Sequence, residues 1–180
     1  MKQGLTWSAA AIVVACATGC AGDVVVRMQP PTAQQTGTTG SSLATVTVLD
    51  TRQPGVAASK RESLGTPMGN VTFDPPEAQL VRQDLEAELS RLMAAKGITR
   101  KETFSALLTE FGVNTHSTAL YWDCVARISL VLKSGTKEFP LTGSGTERTY
   151  SWPGEEVLRK AVVKAFEELN AGLGPVVEGL

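Results

Sequence analysis

The segment from Tyr121 to Tyr150 restricts the fold of this chain more than any other. Trp122, Cys124, Ala126, Ile128, Leu130 and Leu132 recur at every second position, with Asp123, Arg127 and Ser129 in the intervening set. A period of two sends successive side chains to opposite faces of a strand, whereas a helix would scatter this apolar series around its circumference. Ser134-Gly135 supplies a turn, and Phe139 to Tyr150 returns with Thr142, Ser144, Thr146 and Arg148 alternating. The pattern predicts a long β-hairpin with one apolar face. That face needs a cover, because an isolated hairpin is at best marginally stable in water.

Helices are the expected cover. Asp74-Pro75-Pro76-Glu77 reads as a helix entry, with proline tolerated in the first turn. Beyond it Val81, Leu85, Leu89, Leu92 and Met93 form one stripe, Arg82, Asp84, Glu86, Glu88 and Arg91 are expected to face water, and Gly97 caps the end. Thr99-Arg100-Lys101-Glu102 matches a capping box, and Phe104, Leu107, Leu108 and Phe111 recur at i, i+3, i+4 and i+7 before Gly112. This predicts a short second helix over Lys101 to Phe111. Ser151-Trp152-Pro153-Gly154-Glu155-Glu156 opens a last helix, whose stripe of Leu158, Ala161, Val162, Ala165, Phe166 and Leu169 runs to Gly172 and Gly174-Pro175.

Upstream, Ala44 to Asp50 alternates branched apolar residues with threonine and reads as a strand ending at Asp50-Thr51-Arg52-Gln53-Pro54-Gly55. A polar loop with Gly65, Pro67 and Gly69 leads to Val71-Thr72-Phe73. Together the pieces predict an α+β domain: a largely antiparallel sheet with a long hairpin, covered on one face by amphipathic helices. The threonines, serine and Arg148 on the hairpin's other face leave it wet or reserved for a partner.

The N-terminus specifies a location. Met1 and Lys2 give a positive start, Ala9 to Ala15 an apolar run, and Ala17-Thr18-Gly19-Cys20 places a cysteine after small residues where a signal peptidase cuts. This resembles the lipobox of a bacterial lipoprotein, with residues 1–19 as signal peptide and Cys20 as the acylated first residue of the mature chain. The run is broken by Ser8 and Thr18 and falls short of the roughly 20 apolar residues of a membrane span. Cleavage at Ala15-Cys16-Ala17 is the alternative, and it would release a soluble periplasmic protein. Ala21 rather than an acidic residue follows Cys20, which by resemblance to the enterobacterial sorting rule points to the outer membrane, periplasm-facing.

Residues 29–42 carry no charge and little apolar surface, so residues 20–42 are expected to form a lipidated N-terminus and tether and residues 43–180 a single domain. A flexible tether of that length has a root-mean-square reach of about 20 Å. Val24 to Met28 either returns to the sheet as a strand or belongs to the tether. In the first case the body hugs the membrane, and in the second it swings above it.

Removing the signal peptide takes away Lys2 and leaves 16 of the 17 basic residues against 18 acidic ones. No basic excess invites nucleic acid or anionic lipid. Cys16 leaves with the signal peptide and Cys20 is consumed by lipid, so Cys124 is left without an intramolecular disulfide partner. Its alternating neighbours make it a small buried hydrophobe of a core strand.

This order of pieces resembles the YajG-like group of proteobacterial lipoproteins: the lipobox, the tether, a strand ending in Asp50-Thr51-Arg52 with Pro54 after it, a helix around Leu85 to Lys96, the hairpin and a terminal helix. The likeness covers roughly Leu43 to Leu173, and the stretches Lys101 to Phe111 and Val56 to Asn70 depart from the group's plain pattern. It implies a location and a fold and no settled activity. In architecture there is a looser likeness to the lipopolysaccharide-assembly lipoprotein LptE, which plugs an outer-membrane barrel.

Catalytic signals are sparse. His116 is the single histidine, which excludes a multi-histidine metal site, and it lies in Asn114-Thr115-His116-Ser117-Thr118 without a nucleophile motif. Gly143-Ser144-Gly145 lacks the spacing and context of a nucleophile elbow and marks instead a bulge or a close backbone approach. Two functional readings follow. In the first, a non-enzymatic envelope lipoprotein without cofactor or metal binds an envelope protein or polymer through the polar sheet face or a free strand edge. In the second, a small lipoprotein enzyme uses His116 or Cys124. For the first, Asp50, Arg52, Tyr121, Asp123, Arg148 and Tyr150 are the candidate partner surface, although Asp50 and Arg52 also suit a turn and the two tyrosines and Arg148 a cross-strand pairing.

Overall fold

A computed structural model of the chain describes residues 22–31, 42–52 and 59–180. The expected signal peptide of residues 1–19, Cys20 and residues 32–41 of the expected tether lie outside the described residues. The described strands are β1 (Val24–Arg27), β2 (Ala44–Asp50), β3 (Ser59–Ser63), β4 (Thr66–Asp74), β5 (Glu102–Ser117), β6 (Trp122–Ser134) and β7 (Lys137–Thr149). The helices are α1 (Glu77–Ala95), α2 (Glu155–Ala171) and the short α3 (Gly174–Glu178). One mixed sheet runs in the order β1-β4-β3-β5-β6-β7, with β2 beside β5. The pairs β3–β4, β5–β6 and β6–β7 are antiparallel, while β1–β4 and β2–β5 are parallel.

The predicted hairpin is present as β6 and β7, paired from Trp122 opposite Thr149 to Ser134 opposite Lys137. Its apolar set, from Cys124 to Leu132, is buried beneath the helices. Gly143 and Gly145 mark a close approach: a Cβ on either would stand 2.0 Å from a carbonyl oxygen of α2, that of Ala165 or Ala161. No side chain larger than hydrogen lets the helix lie this near the strand. Glu155, at the start of α2, takes the Arg27 N–H of β1 at 2.8 Å. Because α2 also packs on β6 and β7, the sheet curls round it without closing.

Residues 101–111 are not a helix. They begin β5, which buries Phe104, Ala106 and Leu108, then Phe111, Val113 and Thr115. The register slips between Leu108 and Glu110, where a bulge adds one residue. That extra residue shifts the alternation by one position, so a period of two comes to place Phe104, Leu108 and Phe111 at helical spacing. The loop expected before Val71 is also corrected: β3 and β4 form a hairpin around Leu64-Gly65, with Leu64 at φ 48° and Gly65 at φ 79°. Of the two readings of Val24 to Met28, the strand is found, and the sheet takes in residues ahead of Leu43.

Helix α1 ends as expected. Gly97 has φ 73°, its N–H reaches the Ala94 carbonyl at 3.0 Å, and Ile98 N–H reaches that of Met93 at 2.9 Å, a Schellman closure. Two of its acidic residues do not face water. Asp84 is 0% exposed and accepts from Asn170 Nδ2 at 2.9 Å, because the end of α2 crosses this flank of α1 and brings an amide to it. Glu88 is buried beside Arg91, one turn on.

Candidate functional site

Four of the six candidate surface residues meet at one end of the hairpin. Asp123 and Arg148 lie opposite each other in the ladder, and the guanidinium grips the carboxylate with two hydrogen bonds of 2.8 and 2.9 Å. Those bonds hold Asp123 below the ordinary carboxylate range. The Arg148 guanidinium also lies over the Tyr121 ring at 3.7 Å, and the Tyr121 and Tyr150 rings meet edge to face at 6.4 Å. His116, opposite Asp123 on β5, extends the row. On the helix-covered side of the same end, Trp122 and Trp152 pack at 4.8 Å, with Arg61 above Trp152 at 5.3 Å.

Asp50 and Arg52 sit elsewhere. The C-terminal half of β5 pairs with β3 at Lys60 and Asn114, so β2 leaves β5 just past the bulge. Thr51 N–H bonds the Leu108 carbonyl at 3.0 Å, and Arg52 reaches the Phe111 carbonyl at 3.2 Å while bound to Asp50. Arg52 thereby fills the fork that the bulge opens, and its bonds lower the Asp50 pKa. This is the turn-fixing alternative. Hydroxyls complete the fork: Ser59 Oγ accepts from Val113 N–H at 2.9 Å, Thr115 Oγ1 from Glu62 N–H at 2.8 Å and Ser117 Oγ from Leu64 N–H at 2.6 Å.

The face away from the helices is less polar than the alternating threonines of β7 suggest. Leu49 lies opposite Leu107, Leu107 opposite Val131, and Val131 opposite Pro140, an apolar row across four strands with Leu49 58% exposed. Nothing in the local sequence reveals it, since the row exists only once the registers of β2, β5, β6 and β7 are set. It is a contact candidate that reading by residue type missed.

The outer edges of β2 and β7, by contrast, carry bonds to helix side chains. On β2, the Leu43 and Ala44 N–H groups reach Ser90 Oγ at 3.2 and 3.0 Å, and Val46 N–H reaches Glu86 at 3.0 Å. On β7, Ser144 gives both its N–H and its hydroxyl to Glu168 at 2.7 Å, while Lys164 bonds the Thr146 carbonyl at 3.1 Å. Edge groups bound in this way are not free to template another strand.

Cys124 is 0% exposed, and burial, reinforced by the charges of Asp123 and Glu147, pushes its thiol up to about 12. A thiol held protonated is neither nucleophile nor ligand. The described residues contain no cluster of His, Cys, Asp and Glu suited to a metal, and none of their helices is long and apolar enough to cross a membrane. A groove of about 530 Å³ on the outer side of α2 is lined by Glu147, Lys164, Arg159 and Glu167, and Lys164 is paired with Glu147 at 2.6 Å. No family model matches the chain, and no curated protein matches it. A solved structure described as an uncharacterized protein aligns with a TM-score of 0.48 at 11% identity, covering 86% of this chain and 99% of that one.

Proposed function

We propose that this chain is a non-enzymatic bacterial envelope lipoprotein, held to the outer membrane through acyl chains on Cys20, facing the periplasm and binding another envelope protein or polymer. The observation that carries the reading is Ala17-Thr18-Gly19-Cys20 directly after an apolar run with a basic start. The resemblance to the YajG-like lipoproteins supports it. For the partner we favour the open sheet face over a strand edge, because the outer edges of β2 and β7 are engaged by helix side chains. The contact surface then centres on the apolar row of Leu49, Leu107, Val131 and Pro140.

Intact mass and membrane fractionation, beside a Cys20→Ala variant, test the anchor. A mass matching triacylated Cys20 to Leu180, with outer-membrane sedimentation lost in the variant, supports the reading, and a soluble unacylated product refutes it. Photocrosslinkers at Leu107 and Thr142 test the face. A specific adduct from these positions but none from Arg159 on α2 is expected, and equal labelling from both sides would refute face binding.

A further inference from the structure

At one end of the sheet the connections carry no charged residue. They are residues 63–69, Ser-Leu-Gly-Thr-Pro-Met-Gly; residues 117–122, Ser-Thr-Ala-Leu-Tyr-Trp; and residues 149–154, Thr-Tyr-Ser-Trp-Pro-Gly. On them Leu64, Leu120 and Tyr150 are 78%, 79% and 80% exposed. The bond from Leu64 N–H to Ser117 Oγ ties the first connection to the second, and the Tyr121–Tyr150 ring contact ties the second to the third. A single exposed leucine carries no message, but three large apolar side chains on adjoining uncharged loops mark a contact surface.

The N-terminal segment enters the fold at this same end. Gly22 N–H donates to the Met68 carbonyl at 3.1 Å, and the Asp23 carboxylate accepts from Asn70 N–H at 2.8 Å. Gly69, at φ 129°, makes the approach possible, since a Cβ there would lie 2.2 Å from the Gly22 carbonyl oxygen. Chain geometry keeps the Cys20 Cα within about 7 Å of that of Gly22. On the lipoprotein reading, the acylated residue is only two positions ahead of Gly22, which is bonded to β4 close to the β3–β4 turn that carries Leu64.

We propose that this end is a membrane seat: Leu64, Leu120 and Tyr150 enter the headgroup and upper acyl region of the leaflet that holds the acyl chains of Cys20. This rests on the lipoprotein reading. Tyrosine suits that zone, with an apolar ring and a polar tip, and Arg148 stands beside it at headgroup level with Asp123 balancing its charge. Acyl chains already supply affinity, so the seat contributes orientation. It stands the strands upright and holds the far end of β6, 13 residues long, roughly 40 Å from the surface.

Tryptophan quenching by brominated phospholipids tests the seat, because both tryptophans of the mature chain, Trp122 and Trp152, lie at this end. Acylated protein is reconstituted into phosphatidylethanolamine/phosphatidylglycerol vesicles with and without brominated chains. Two further variants combine Trp122→Phe and Trp152→Phe with either Leu120→Trp or Lys137→Trp, each checked for folding by circular dichroism. The expected result is at least threefold stronger quenching at position 120 than at 137, with the native pair also quenched, and a loss of most of it on Leu64→Asp with Tyr150→Asp. Equal quenching at positions 120 and 137, or no quenching of the native pair in anchored protein, overturns the seat. If intact mass shows no acylation, the lipoprotein reading fails by itself. The unacylated chain is then coupled through Cys20 to maleimide lipid and the same ratio is read.

Discussion

The two ends of the sheet are built from different materials. At the end carrying Leu64, Leu120 and Tyr150, the connections are uncharged and are joined by hydroxyls and aromatic rings. The opposite end gathers Lys96, Arg100, Glu102, Lys133, Lys137, Glu138 and Glu178. There Lys96 pairs with Glu178 at 3.0 Å, Arg100 with Glu102 at 2.5 Å and Lys133 with Glu138 at 2.6 Å. Exposed ion pairs are weak and tolerate rearrangement in water, whereas a hydroxyl that takes a part-buried backbone N–H, as Thr115 does for Glu62, is harder to replace. The difference separates an end bound by exposed ion pairs from the one proposed above as a contact surface.

If both ends hang on one core, an injury to that core has to unfold them together. Gly145→Ala drives a Cβ against the Ala161 carbonyl of α2, and we expect a loss of about 3 kcal/mol by urea denaturation, with near- and far-ultraviolet signals falling in one transition. Two separate transitions would break the comparison, leaving each end a unit of its own. Thr115→Val strips the Glu62 N–H of its acceptor at the uncharged end, at an expected cost of about 1.5 kcal/mol, seen first as faster amide exchange in β3. Glu138→Gln at the charged end should cost under about 0.5 kcal/mol, and in high salt nothing measurable.

A titration sharpens the contrast. Arg148 lowers the Asp123 pKa below its ordinary 3.8, so the carboxylate's contribution is present above pH 3.8 and is lost as pH falls through the lower folded value. By carbon NMR, Asp123 should titrate below that point in the native chain and return toward it in Arg148→Gln. The smallest effect belongs to Leu64→Ser with Leu120→Ser. Both side chains stand in solvent in the isolated protein, so stability should stay within about 0.5 kcal/mol of the parent while lipid contact is lost.

Much of this could be read from residue order. The alternation from Trp122 to Leu132 defined the hairpin, and the stripe from Leu158 to Leu169 defined α2, because in each one period runs undisturbed through a buried face. β5 failed for the opposite reason: a single bulge offset two runs of period two into an imitation of 3.6. The β3–β4 hairpin escaped notice because its sequence is polar and its bonds to β5 run through Ser59, Thr115 and Ser117. At the candidate site, strand parity alone brought Tyr121, Asp123, Arg148 and Tyr150 into one group. Asp50 and Arg52 separated from them because the fork that holds them depends on that bulge. The apolar row from Leu49 to Pro140 needed three registers at once, which no local pattern encodes.

The helix side chains that bind the outer strand edges acquire a further meaning in two dimensions. On the proposed anchored reading, copies confined to one leaflet meet far more often than the same number dissolved in a volume, and aligned on their seats they would present their strands side by side. Open edges under those conditions would zip into ribbons. Glu86 and Ser90 against β2, and Lys164 and Glu168 against β7, take up backbone groups on those two edges, so an anchored layer of this protein would offer fewer sites for strand pairing.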